Sequence, residues 1–106
     1  MRQLIKMQEK PPAIAGMIGK QFRQLGVART LIDQGKGQSE LMRICNLRDY
    51  PAKKIMTSAR RFSSRFFTVA LELIMEADYS LKSSQDDPVR LLELLVLRLA
   101  QEAHNV

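Results

Sequence analysis

The sequence predicts an all-α fold: a compact bundle of five to six helices forming one domain over residues 1–106. Three observations carry this. Apolar residues recur at spacings of three and four, the period of a helix face, and almost nowhere at two. Breakers such as Lys10-Pro11-Pro12, Gly35-Lys36-Gly37 and Lys82-Ser83-Ser84-Gln85 cut the chain into helix-length pieces joined by short loops, as antiparallel neighbours in a bundle require. The chain has 106 residues, 45% hydrophobic and 26% charged, enough for one core and too few for two.

The first element is a short helix over residues 2–9. It begins without an evident cap, which fits a piece of something longer. Lys10-Pro11-Pro12 stops it, and proline near a first helical position starts the next helix, from about Pro12 to Gln34. Ile14, Ile18, Phe22, Leu25, Ala28 and Ile32 form its core stripe. Gly16, Gly19 and Gly26 weaken it by up to ~1 kcal/mol each where exposed, and close helix contacts would explain their presence. Gly35-Lys36-Gly37 ends it.

Ser39 is the expected N-cap of a short helix reaching Cys45. A turn over 46–50 leads to a helix from Pro51 to about Arg61. Ser63 or Ser64 caps the next, which runs to about Leu81. Asp86 or Asp87 caps the last, with Pro88 inside its start, and it runs to about Ala103. On this last helix Leu92, Leu95, Val96, Leu99 and Ala103 gather on one side and should face the core, while Arg90, Glu93, Gln101 and His104 mark the solvent sector. Leu94 and Leu97 project into that polar sector. They are candidates for a contact with a partner helix, against the plainer alternative of incidental exposure or cover from the N-terminal helix.

The net charge of +6 is unevenly spread. Residues 1–67 hold 14 Lys and Arg against 4 Asp and Glu, a balance of +10; residues 68–106 hold 3 against 7, a balance of −4. A basic front half permits a polyanionic partner, and a solvated face is the bland alternative. Lys53, Lys54, Arg60, Arg61 and Arg65 are the densest cluster and the candidate contacts to DNA phosphates.

Catalytic chemistry finds little to stand on. Cys45 is the only cysteine and His104 the only histidine, so no intramolecular disulfide, multi-cysteine zinc site or well-placed Cys–His pair emerges. Cys45 is better read as a small buried hydrophobe. GMIGKQ lacks the spacing of a phosphate-binding glycine loop and sits inside a helical pattern. No paired carboxylates suggest acid–base work. The N-terminus is no signal peptide, and LLELLVLRLA is too short and too charged to span a bilayer. The expectation is a cytoplasmic protein with no catalytic site, cofactor, metal, membrane or small-molecule substrate.

Residues 39–61 have the pattern of a helix-turn-helix. Leu41, Cys45, Leu47, Ala52 and Ile55 take its buried positions, and Arg48, Tyr50, Lys53, Lys54 and Thr57 face outward. In a DNA reader the second helix lies in the major groove with its N-terminal residues on base edges. Two features oppose that here. Met42 stands where a small residue lets the two helices approach. The second helix has no Asn or Gln and offers lysines, which suit phosphates better than sequence.

The order IAGMIGKQFRQLGVARTLIDQGKGQSELMRICNLRDYPAKKIMTSARRFS, then LELIMEADYSLKSS and DDPVRLLELLVLRL, resembles the C-terminal domain of the bacterial DNA polymerase III delta subunit over nearly the whole chain. The most specific pieces are Gln21-Phe22-Arg23, the Pro51-x-Lys53-Lys54 helix ending in Ala59-Arg60-Arg61-Phe62, and Ala77-Asp78-Tyr79-Ser80-Leu81-Lys82. Arg48-Asp49 makes the turn more polar than is usual in the family. The resemblance implies a clamp-loader subunit whose helical third domain joins its equivalents in a pentameric collar. Two N-terminal ATPase-like domains would precede it in the parent. It implies other clamp-loader subunits as partners, and DNA contacted at most without regard to sequence. A stand-alone helix-turn-helix DNA-binding protein is the alternative.

Overall fold

The structure is a computed structural model and describes residues 10–104. Five helices follow one another: α1 Pro11–Asp33, α2 Gln38–Cys45, α3 Asp49–Ala59, α4 Ser64–Ser83 and α5 Pro88–His104. No strand occurs among the described residues. The expected helix over residues 2–9 lies outside the described residues.

Local chemistry sets most boundaries. Pro11 and Pro12 open α1, where the missing N–H costs no hydrogen bond. Gly35, at φ +73°, ends it: Lys36 N–H donates to the Leu31 carbonyl at 2.8 Å and Gly35 N–H to that of Ile32 at 3.0 Å. This is a Schellman closure, and only glycine enters its left-handed position without a steric cost. Asn46, at φ 53°, closes α2 the same way, with Leu47 N–H donating to Met42 O at 2.9 Å. The Ser63 hydroxyl caps α4 by accepting from Phe66 N–H at 3.2 Å. Asp87 accepts from Val89 N–H at 3.1 Å just ahead of Pro88.

Four expectations are corrected. The N-cap of α2 is Gly37, not Ser39, because the helix starts at Gln38, whose side-chain amide donates to the Asp49 carbonyl. α3 starts at Asp49, with Pro51 in its first turn, where a backbone N–H would have no helical partner in any case. Val96 does not face the core; it is 39% exposed. α5 packs against α4 and α1 from one side only, so its buried stripe narrows to Leu92, Leu95 and Leu99. Glu93 is half-buried rather than fully solvated. The remaining shifts, such as α4 ending at Ser83, are one or two residues.

α1 is the spine: α2, α3, α4 and α5 all pack on it. Ala28, Leu31, Leu41, Ala52, Met56, Phe66, Phe67, Ala70, Ile74, Leu95 and Leu99 form the main core; Ile14, Ala15 and Leu92 form a smaller one. At its centre Phe22, Phe62, Phe66 and Phe67 meet ring on ring, with Phe62 stacked on Phe66 at 4.6 Å. Burying Phe66 and Phe67 stabilises the fold by ~1.5–3 kcal/mol each. Of the three mid-helix glycines, Gly19 carries the close contact: a Cβ there would lie 3.4 Å from Ile74 Cγ2 on α4.

Candidate functional site

The helix-turn-helix pair is present as geometry. α2 and α3 are joined by Asn46, Leu47 and Arg48, and the turn depends on the left-handed Asn46. Leu41 and Ala52 are fully buried; Cys45, Leu47 and Ile55 are half-buried and packed on the core. Met42 is half-buried and packs against the same core, so its bulk is accommodated beside α1. Arg48, Tyr50, Lys53, Lys54 and Thr57 are all exposed, as their positions in the pattern predict.

The tip of α3 is built poorly for reading bases. Its first residue is the acidic Asp49, whose carboxylate accepts from the Gln38 side-chain amide and whose carbonyl accepts from it at 3.1 Å. A carboxylate at this tip favours the helix dipole and repels phosphate. The nearest long side chains are cationic: Lys54 lies 5.5 Å from the centroid of the Tyr50 ring, a cation–π placement. Thr57 spends its hydroxyl on the Lys53 carbonyl at 2.9 Å.

All five basic candidates are exposed. Lys53 and Lys54 lie on α3, Arg60 and Arg61 at the α3–α4 corner, and Arg65 in the first turn of α4. Lys53 and Arg60, seven residues apart, fall within roughly 20° of each other around the helix, about two turns apart. The cluster is therefore a band of charge along α3 and its corner, not a pocket.

Leu94 and Leu97 are 45% and 58% exposed, between the buried Leu92, Leu95 and Leu99. Met75 and Tyr79 on α4 add 70% and 72% exposed apolar surface that the sequence pattern did not single out. Leu94 lines a shallow cleft between α4 and α5 with Leu73, Ala77 and Leu91, and Arg98 on its edge meets Glu76 at 3.4 Å.

A larger groove, about 670 Å³, opens between α1, α2 and α4. Sequence reasoning missed it, because it is formed by three helices far apart in the chain. Two ion pairs edge it. Arg29 holds Asp33, whose carboxyl is lowered from its ordinary 3.8, first by the hydrogen bond from Arg29. Arg43 holds Glu40 at 2.7 Å, and that hydrogen bond lowers the Glu40 carboxyl from its ordinary 4.5.

Among the described residues no group of His, Cys, Asp and Glu side chains could hold a metal ion, and no helix is long and apolar enough to cross a membrane. Cys45 is half-buried at the end of α2, and His104 is exposed at the end of α5.

Comparison with known proteins brings this geometry into a frame. Residues 1–99 match the family described as DNA polymerase III delta subunit, C-terminal domain. The chain is 31% identical over 96 residues to DNA polymerase III subunit delta of Bacillus subtilis, covering 91% of this chain and 28% of that protein. Its fold is similar to that of the Bacillus subtilis DNA clamp loader delta protein, with a TM-score of 0.86, 30% identity, and coverage of 94% of this chain and 30% of that one. The chain thus spans less than a third of the length of either relative.

Proposed function

We propose, because the chain belongs to the family of C-terminal domains of the DNA polymerase III delta subunit, that it is the non-catalytic collar domain of a clamp loader. It helps assemble the complex that loads the sliding clamp during DNA replication. In this reading residues 1–106 are one helical domain at the C-terminal end of a longer, cytoplasmic bacterial protein. Its partners are the other clamp-loader subunits, and ATP and the clamp are gripped elsewhere in the parent.

The observation that carries the reading is the outward face of α5. Leu94 and Leu97 expose apolar surface, while their own helix already supplies Leu92, Leu95 and Leu99 to the core. A packed helix that keeps leucines in water suits a second helix from a partner. Lys53, Lys54, Arg60, Arg61 and Arg65 lie on other elements, so DNA held by the loader can meet them through phosphates while α5 is covered.

The test is a pull-down of this chain against purified clamp-loader subunits, with Leu94→Gln/Leu97→Gln as the comparison. The wild type should bind a partner subunit, and the double variant should bind it at least about tenfold more weakly while melting at nearly the same temperature. Tight, salt-resistant binding to one DNA sequence would instead favour a free-standing helix-turn-helix protein.

A further inference from the structure

The corner between α3 and α4 is held by long bonds of its own. Past Ala59 the chain bends through residues 60–63. Arg60 N–H donates to Met56 O and Arg61 N–H to Ser58 O, both at 3.2 Å, and Phe62 N–H to Ala59 O at 3.4 Å. These stand at or beyond the long end of the N–H···O range. A side chain from a third helix reinforces them. Arg29, near the C-terminal end of α1, turns one guanidinium nitrogen to the carbonyls of Ala59 and Phe62, at 3.5 and 3.3 Å. It turns two others to the Asp33 carboxylate. The second oxygen of that carboxylate accepts from the Ser64 hydroxyl at 3.3 Å. One fork thus ties α1 to the end of α3, to the corner and to the first residue of α4.

The ties fall beside the charges. Arg60 follows the anchored Ala59, Arg61 precedes the anchored Phe62, and Arg65 follows the anchored Ser64. Three of the five exposed cations of the basic band therefore hang from backbone that Arg29 and Asp33 pin on both sides. Arg29 itself is poorly placed to serve a phosphate: its side chain is 19% exposed and its charge lies against Asp33. A loose corner could still neutralise phosphates, but it would have to be ordered as it did so, which lowers affinity. That loss is conformational and is the same at every salt concentration, whereas a lost phosphate contact changes the salt dependence.

We propose that Arg29 is a positioning residue for the basic corner: it holds Arg60, Arg61 and Arg65 as one preformed set facing phosphates, without touching the nucleic acid. The proposal rests on the reading of the band as a DNA-phosphate surface and assigns the geometry of that surface to an ionic network outside it.

The test titrates the 106-residue chain with a labelled duplex at several salt concentrations, at a temperature where circular dichroism shows each variant folded. Arg29→Met removes the fork. Arg29→Lys keeps the charge beside Asp33 but offers one flexible ammonium, which cannot span two carbonyls and a carboxylate. Both should lower affinity roughly three- to tenfold at every salt concentration, and Arg29→Lys should keep the wild-type slope of log affinity against log salt. Amide exchange at Arg61 and Phe62 should quicken more than at the buried Ile74. Should Arg29→Met not fold, Arg29→Lys and Ser64→Ala, which cuts the tie to α4 and leaves every charge in place, carry the same comparison. Wild-type affinity in the folded variants would show that the network serves stability alone, and the proposal falls. A slope shallower by about 0.9 in Arg29→Met and restored in Arg29→Lys would place Arg29 on a phosphate itself, and the proposal falls again. In both cases the DNA reading of the band stands. If the wild-type chain binds no duplex, that reading falls and takes the positioning role with it.

Discussion

The guanidinium of Arg29, near the C-terminal end of the spine helix, donates to the backbone carbonyl of Phe62 at 3.3 Å. It also reaches the carbonyl of Ala59 at 3.5 Å, so one side chain satisfies the end of α3 and the corner leading into α4. The last carbonyls of a helix have no partner within it, and a cation there is favourable to the helix dipole. Asp33 steadies the same guanidinium, and the Ser64 hydroxyl donates to Asp33 at 3.3 Å. Phe62, stacked on Phe66, is thereby held by its backbone as well as its ring. Replacing Arg29 with Met keeps the apolar stem and removes the donors. The expected cost is about 1–3 kcal/mol, measurable by urea denaturation at neutral pH.

The same pair gives an acid limb to stability. The Asp33 carboxyl is lowered from 3.8 by Arg29, and that of Glu40 from 4.5 by Arg43. Both groups bind protons more weakly folded than unfolded. Their contribution is therefore complete above those ordinary values and is lost as pH falls below them through the folded ones. Both pairs lie at the surface, so salt should diminish the effect. Urea midpoints followed from pH ~6 down to ~2 should fall for the wild type and fall less steeply for Asp33→Asn. Identical slopes would mean that the Arg29 bond is not maintained in solution.

Neighbours on α5 should behave oppositely. Leu95 is 2% exposed and Leu97 58%. Leu95→Ala should cost ~2–5 kcal/mol, because the cavity it leaves is enclosed by α4 and α1. Leu97→Ala should stay within about 0.5 kcal/mol. Thermal melts of the two single variants decide this; a large loss at Leu97 would return it to the core and remove the proposed contact face.

That contrast also marks how far the sequence was legible. Periodicity placed the described helices, and Pro11, Pro12, Gly35, the Ser63-Ser64 pair and Pro88 marked ends, because those signals act within a few residues, whereas Pro51 fell two residues inside α3. Leu94 and Leu97 were readable as outward-facing from the angle of α5 alone. Val96 was not, because its exposure depends on how α4 and α1 approach that helix. At the start of α2, where Gly37 and not Ser39 is the N-cap, Gln38 bonds Asp49 eleven residues away. The groove around Val27, Ile44 and Leu71 exists only once three helices have packed, and Arg29 reaches its carbonyl partners across 30 and 33 residues. No local pattern encodes either.

The exposed band on α3 and its corner should bind DNA weakly and without sequence preference. Lys53, Lys54, Arg60, Arg61 and Arg65 are exposed and can each approach a phosphate, whereas the α3 tip carries Asp49 and no Asn or Gln to read a base edge. Each phosphate neutralised releases a condensed counterion, so five contacts set an upper bound of about −4.5 on the slope of log affinity against log salt. Titrating this chain with two unrelated duplexes at two salt concentrations should give matching, weak, steeply salt-dependent curves. Lys53→Gln and Arg60→Gln, on one side of α3, should each lower that slope by about one and affect both duplexes alike. Because neither side chain makes a packing contact that the fold depends on, their melting temperatures should match the wild type. Binding to one duplex that survives high salt would show that the turn and α3 read sequence despite Asp49, and would move the chain from collar domain to DNA reader. Absence of binding would leave these five residues as a solvated face and leave the proposed contact through α5 unaffected.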